Sequence, residues 1–179
     1  CLTDWKRSPD GTDGRYVYYS KATITRIAGG HFVVDKKTWY KNDNKQAAWL
    51  VFAKDGALGM EVSQHLESDS GPIPDALRCK QALDILHQTL VVAAKYKVPL
   101  TNITITGDTN SEGMVPAAMK AAGWVALPNK SATFRGWDGH SHKVIDYAFV
   151  IKGVKGSVEV VTSKDSDHNR LIVTRELTK

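Results

Sequence analysis

Two hydrophobic periods divide this chain. Residues 15–19, 22–27, 31–35, 47–53 and 57–64 are rich in aromatic and β-branched side chains, and breakers separate them: Gly29-Gly30 before the third run and Lys54-Asp55-Gly56 between the last two. That pattern predicts an antiparallel ribbon of strands. The period then lengthens. Beyond a Gly/Pro loop at 68–74, Asp75 is a good N-cap for a helix to about Tyr96, in which Leu77, Leu83, Leu86, Leu90 and Ala94 predict an apolar stripe lying on a sheet. Pro99 ends any helix, residues 101–106 alternate as a strand running into Gly107-Asp108, and a second helix at about 113–122 stops at Gly123. A loop through 128–142 precedes three last strands at 143–151, 157–162 and 171–174. Residues 1–14, broken by Pro9, Gly11 and Gly14, read as a loop or the remnant of an upstream segment. This order of strands and helices predicts an α/β fold with a mixed sheet covered by helices, as one domain over 1–179.

Composition narrows the class only a little. With 179 residues, 42% hydrophobic and 24% charged, the chain is long enough to bury a core and ordinary for a globular domain. No apolar run approaches the roughly 20 residues of a bilayer span, so no membrane partner is expected. A formal charge of +5 favours an anionic partner. Cys1 and Cys79 have no metal-binding spacing and are expected to be free thiols. Arg15, Lys21, Arg26, Lys36, Lys37, Lys41 and Lys45 interleave with Tyr16, Tyr18, Tyr19, Trp39 and Tyr40, which is either a nucleic-acid surface or strands with one solvated face.

Four polar motifs carry the chemistry: Gln64-His65-Leu66, Gly107-Asp108-Thr109-Asn110, Ile145-Asp146-Tyr147 and Ser166-Asp167-His168. Each ends or interrupts an apolar run, so their side chains should be carried to one rim of a sheet. Gly107 permits a sharp exit from its strand; Asp108 and Asn110, two apart, then offer an anionic acceptor and an amide that both donates and accepts. A carboxylate inside the 144–151 apolar run, Asp146, needs a cation or a histidine partner. Taken singly, each motif has a structural alternative: an Asx turn at Asp108, a solvated turn at Asp167-His168, a strand-end histidine at His65. His140 and His142 sit in a loop and read as solvated or substrate-facing, while His31 and His87 look incidental.

The ordered set of motifs resembles the endonuclease/exonuclease/phosphatase superfamily, which contains pancreatic-type deoxyribonuclease, abasic-site endonucleases, inositol-polyphosphate phosphatases and neutral sphingomyelinases. The resemblance implies that Asp146 pairs with His168 as the base that activates water, that Asp108 and Asn110 position the nucleophile and phosphate, and that His65 contacts the scissile phosphate. It also implies that Asp167 helps to bind a divalent cation, Mg²⁺ or Mn²⁺. The implied activity is a metal-dependent phosphodiester hydrolase, with a DNA or RNA endonuclease or exonuclease favoured by the basic charge. Two alternatives stay open: a non-catalytic binding module, and a phosphatase of a phosphorylated small molecule or lipid head group.

In that family an opening part carries a strand ending in Asn and another ending in Gln-Glu, whose Glu is the principal metal ligand. No such pair precedes Arg15, and Glu61 matches no family ligand. The expected architecture is therefore the C-terminal part of a four-layer α/β/β/α sandwich with mixed, largely antiparallel sheets, leaving open sheet surface that an N-terminal segment or a second chain would cover.

Overall fold

The computed structural model describes residues 5–7, 17–34, 46–68, 72–129, 131–136 and 142–179. The two periods seen in the sequence become two layers. A six-stranded sheet is built from β3 (Thr25–Val33), β4 (Gln46–Lys54), β5 (Ala57–His65), β6 (Ile103–Asp108), β7 (Trp124–Ala126) and β8 (Asp146–Ile151), in the order β3-β4-β5-β6-β8-β7. Every neighbouring pair is antiparallel except β5 and β6. That parallel pair needs a crossover, which α1 (Pro72–Tyr96) supplies. Its partner α2 (Met114–Ala121) packs on the same face. Two small antiparallel ladders, β1 (Trp5–Arg7) with β2 (Tyr18–Ser20) and β9 (Ser157–Val161) with β10 (Arg170–Thr174), complete the described residues. No described helix is long and apolar enough to cross a membrane.

Alternation along the central strands decides what each face does. Met60, Val62, Ile103, Ile105 and Phe149 point to the helices and bury against Ala82, Ile85, Leu86, Ala93, Val115 and Met119. On the other face Ala148 and Val150 pack with Leu127, Val158 and Val173 of the β9–β10 side. Between β2 and β10, that face leaves a cleft of about 430 Å³ lined by Leu50, Phe52, Glu61 and Thr104, among others.

The structure corrects several sequence expectations. Gly29-Gly30 is no turn: both lie inside β3, and Gly30 faces Trp49 of β4, whose ring would stand 3.0 Å from any Cβ there. At Gly30 a side chain would have to displace that indole. The helix opens at Pro72 rather than Asp75, since the first turn has no use for the N–H that proline lacks. Asp75 instead sits inside that first turn and accepts a hydrogen bond from Arg78 Nη1 at 3.0 Å. The buried stripe of α1 runs through Arg78, Gln81, Ala82, Ile85, Leu86, Thr89 and Ala93, so Leu83 (40% exposed) and Ala94 face outward. Two polar side chains on that face bond to backbone: Thr89 Oγ1 donates to Ile85 O at 2.7 Å, and Gln81 Oε1 accepts from Glu67 N at 3.0 Å.

Short strands escape the periodicity: β1 falls among residues expected to be loop, and β7 lies between Gly123 and the 128–142 loop, where no element is expected. A 3₁₀ turn at Leu100–Asn102 replaces the start of the 101–106 strand, and β8 begins at Asp146, not at Lys143. Cys79 is a free thiol against the core, whereas Cys1 lies outside the described residues. So do Arg15, Tyr16, Lys36, Lys37, Trp39, Tyr40, Lys41, Lys45 and His140, which leaves the basic and aromatic front unplaced.

Candidate active site

Three strand ends meet at one rim. In the β5–β6 ladder His65 is opposite Asp108, and in the β6–β8 ladder Asp108 is opposite Asp146, so one row of the sheet reads His65, Asp108, Asp146. Directly opposed residues share a face, which places all three side chains together. Gly107 makes the approach possible. Its φ is +131°, and a Cβ there would stand 2.0 Å from Gln64 O, so no other residue fits beside the parallel strand.

Beyond the strand, Asp108 Oδ1 accepts the Asn110 backbone N–H at 2.7 Å, an Asx turn that holds Asn110 at a φ of 49°. The Asn110 amide donates to Leu66 O at 3.1 Å, tying the two strand exits together. Thr109, fully buried, donates its N–H to Ile145 O at 2.8 Å and keeps its hydroxyl on the same carbonyl. The turn alternative for this motif is thus what the structure shows, with Asp108 Oδ2 left on the rim beside the two histidines.

His168 arrives from the loop before β10. Its Nδ1 lies 2.9 Å from Asp146 Oδ2, and because a carboxylate only accepts, Nδ1 carries the proton and, in the neutral ring, Nε2 has the lone pair. That Nε2 lies 3.7 Å from Asp108 Oδ2, while His65 Nε2 stands 3.5 Å from the same oxygen. Side-chain exposure falls from 46% at His65 and 29% at His168 to 13% at Asp146 and 11% at Asp108, so the carboxylates form the floor and the imidazoles the wall.

The electrostatics follow from that burial. Desolvation pushes Asp108 up to about 6; the Asn110 N–H opposes this, while the nearby Asp146 carboxylate adds to it. Burial works against a charged His168, but the hydrogen bond and charge of Asp146, with Asp108 and Asp167 behind it, outweigh burial and raise its pKa above the ordinary histidine value. One oxygen or nitrogen from each of Asp108, Asp146 and His168 lies within 4.8 Å of the others, a grouping that could hold a metal ion. Asp167 stands outside that group; its backbone carbonyl accepts from Arg135 N at 2.9 Å, and its charge reaches His168.

Several residues that hold the site gave no sequence signal. Thr133, fully buried, accepts the backbone N–H of both Ile145 and Asp146 at 3.0 Å. Phe134 packs its ring 5.0 Å from the His168 imidazole and bridges both Lys143 and His168. Arg135 donates to Ser166 O at 2.7 Å and to Ser163 O, pinning the loop that presents His168. All three lie in a stretch with neither period, and the partners named lie from Lys143 to His168, 9 to 34 residues further on. His142 is exposed.

No family model matches the sequence, and no curated protein matches it. Solved structures do. An endonuclease/exonuclease/phosphatase from Bacteroides vulgatus superposes with a TM-score of 0.72 at 18% identity, covering 99% of this chain and 78% of that one. The fold is that of the endonuclease/exonuclease/phosphatase proteins. A mannosyl-6-phosphatase from Bacteroides thetaiotaomicron shares the fold at a TM-score of 0.71 and 16% identity, over 96% of this chain and 76% of that one. A Staphylococcus aureus beta toxin with bound magnesium ions gives 0.71 and 16%, over 96% and 70%.

Proposed function

We propose that the chain works as a divalent-metal-dependent phosphoester hydrolase, with a nucleic-acid phosphodiester as its substrate. The observation that carries the reading is the Asp146–His168 pair seated over Asp108: an oriented, partly buried imidazole whose free nitrogen faces a carboxylate at the rim of a sheet. Such a pair is suited to take a proton from water as that water attacks phosphorus.

His168 Nε2 accepts the proton, and Asp146 holds the ring by Nδ1 and balances the imidazolium that results. Asp108 and Asn110 orient the attacking water and a phosphoryl oxygen, the first as acceptor and the second as donor. His65, more exposed and beside Asp108, donates to the phosphoryl oxygens as charge builds there. The donor set fits a hard divalent cation: two carboxylates side by side, one of them with its pKa raised by burial and by the neighbouring carboxylate, and Asp167 nearby. Mg²⁺ or Mn²⁺, when bound, supplies charge neutralisation at the phosphoryl group.

The test is nicking of plasmid DNA by the purified chain with Mg²⁺ or Mn²⁺ and with chelator, for the wild type and His168→Ala. Metal-dependent nicking lost in the variant supports the reading; intact DNA under every condition removes it. A second reading, a phosphatase of a small phosphorylated molecule, is favoured by the shared fold of the mannosyl-6-phosphatase. A phosphomonoester assayed beside the DNA separates the two.

A further inference from the structure

Beside the acid cluster lies a second cleft, of about 620 Å³, which the mechanism above does not use. That is the size of a small-molecule site, in the range of roughly 300–1,000 Å³. It adjoins the cluster directly: Asn110 belongs to both, and Phe134 lines the cleft while touching the His168 ring. Whatever is bonded to a phosphate held at Asp108 and His168 therefore has this cleft as its nearest enclosure.

Its walls say what would fit. Among the described residues four ionisable side chains line it, Asp75 and Glu112 against Arg78 and Lys143, and the charges of these four cancel. Arg78 is committed already, donating to Asp75 at 3.0 Å and to the carbonyl of Glu67 at 2.6 Å. A second phosphate would meet Lys143 as its main cation and Glu112 as an opposing anion, which is a poor polyanion site. An acyl chain fares no better, because among the described residues the large apolar side chains of the lining are those of Met114, Phe134 and Ile145. What remains is a mixed surface. Met114, 56% exposed, and Phe134 offer an apolar platform, whereas Glu112, Ser68 and Ser111 offer acceptors and donors. Flat apolar contact together with hydroxyl-accepting groups suits a sugar ring.

We propose that this cleft is the leaving-group subsite and that it takes an uncharged, hydroxyl-bearing ring, the sugar to which the scissile phosphate is attached. The assignment rests on the phosphoester reading and names what that site selects. A hexose phosphate and a nucleotide share the chemistry, and the two are told apart by measurement.

Gly113 provides the means. It lines the cleft, and a Cβ built on it meets nothing within 4 Å. Gly113→Trp would then have room to place an indole at the cleft. Calorimetry in Mg²⁺ would compare glucose 6-phosphate, adenosine 5′-monophosphate, inositol 1,4-bisphosphate and methyl phosphate on the wild type and on Gly113→Trp. At least one ring monophosphate is expected to bind about tenfold tighter than methyl phosphate in the wild type, with the advantage gone in the variant. The stronger of the two ring ligands identifies the source.

Equal affinities in the wild type, a ring advantage that survives the indole, tighter binding of the bisphosphate, or an equal loss for methyl phosphate would each overturn the assignment. Turnover read on the same samples keeps the two ideas apart. A ring preference without hydrolysis removes the enzyme reading and leaves the cleft, whereas hydrolysis without a ring preference does the reverse.

Discussion

The β5–β6 pair carries two charged clusters on one face, four residues apart. At one end Glu61 opposes Thr104; at the other His65 opposes Asp108. The Glu61 cluster is closed. Its carboxylate accepts from Thr104 Oγ1 at 3.0 Å and lies 3.5 Å from Arg175, whose remaining donors reach Thr104 Oγ1 at 2.6 Å and Thr101 O at 3.0 Å. Every charge there has an opposite partner. The Asp108 cluster is open, because two carboxylates are offset by histidines only as far as those are protonated. Both ends are buried enough to raise a carboxyl pKa, Glu61 to about 7 and Asp108 to about 6. A raised carboxyl is therefore not what marks a site: the marker is charge left unpaired in a place that water and ligand can reach.

That contrast can be broken at the glycines of the two ends. Gly107→Ala sets a Cβ against a backbone carbonyl, which cannot turn aside, in a conformation that L side chains rarely adopt. We expect a loss of about 3 kcal/mol in a denaturant titration. Gly59→Ala meets the Phe52 ring at 2.5 Å, and a ring can shift, so the same titration should show a smaller loss of about 1–2 kcal/mol. Equal losses would mean that the parallel strands accommodate a side chain at Gly107.

Next in size are the charges. His168→Ala should lower phosphoester turnover at least about a hundredfold with melting little changed. Arg175→Met should do the opposite, costing about 2 kcal/mol by stranding Glu61 and leaving turnover within a few fold. A comparable activity loss in both variants would erase the distinction between the ends.

The smallest effect is in pH. Glu61 gives up its proton near 4.5 when unfolded and near 7 when folded, so between those values the folded chain holds more protons, and stability declines as pH climbs through the window. With 36% of the Glu61 side chain open to the cleft, screening reduces the effect to the order of 1 kcal/mol. Glu61→Gln should remove that slope from thermal melts taken between pH 4.5 and 7.5; an unchanged slope would assign it to other groups.

The difference between what the sequence revealed and what it hid has a physical origin. His65, Asp108 and Asp146 were legible because the period of two that builds a strand also determines where its end residue points. Thr133, Phe134 and Arg135 were not, because their work is done on the backbones and rings of residues brought near by folding. The α1 stripe holds at Leu86 and Leu90 and fails at Leu83 and Ala94 for a related reason. Counting leucines overlooked Gln81 and Thr89, which are buried with Gln81 Oε1 and Thr89 Oγ1 each bonded to backbone. Gly29-Gly30 looked like a turn because Trp49, which Gly30 faces, lies on another strand.

The parallel pairing of β5 and β6 also sets an order in time. The β4–β5 hairpin closes through Asp55 and Gly56, both at positive φ, and such hairpins form within about 1–10 μs. His65 cannot meet Asp108 until the 25 residues of α1 have been laid across the sheet, and His168 joins from 22 residues beyond Asp146. On a chain emerging from its N-terminal side, the acids stay dispersed until almost the whole length described here is available. A half-made molecule would thus hold no concentrated negative charge with which to trap a stray cation.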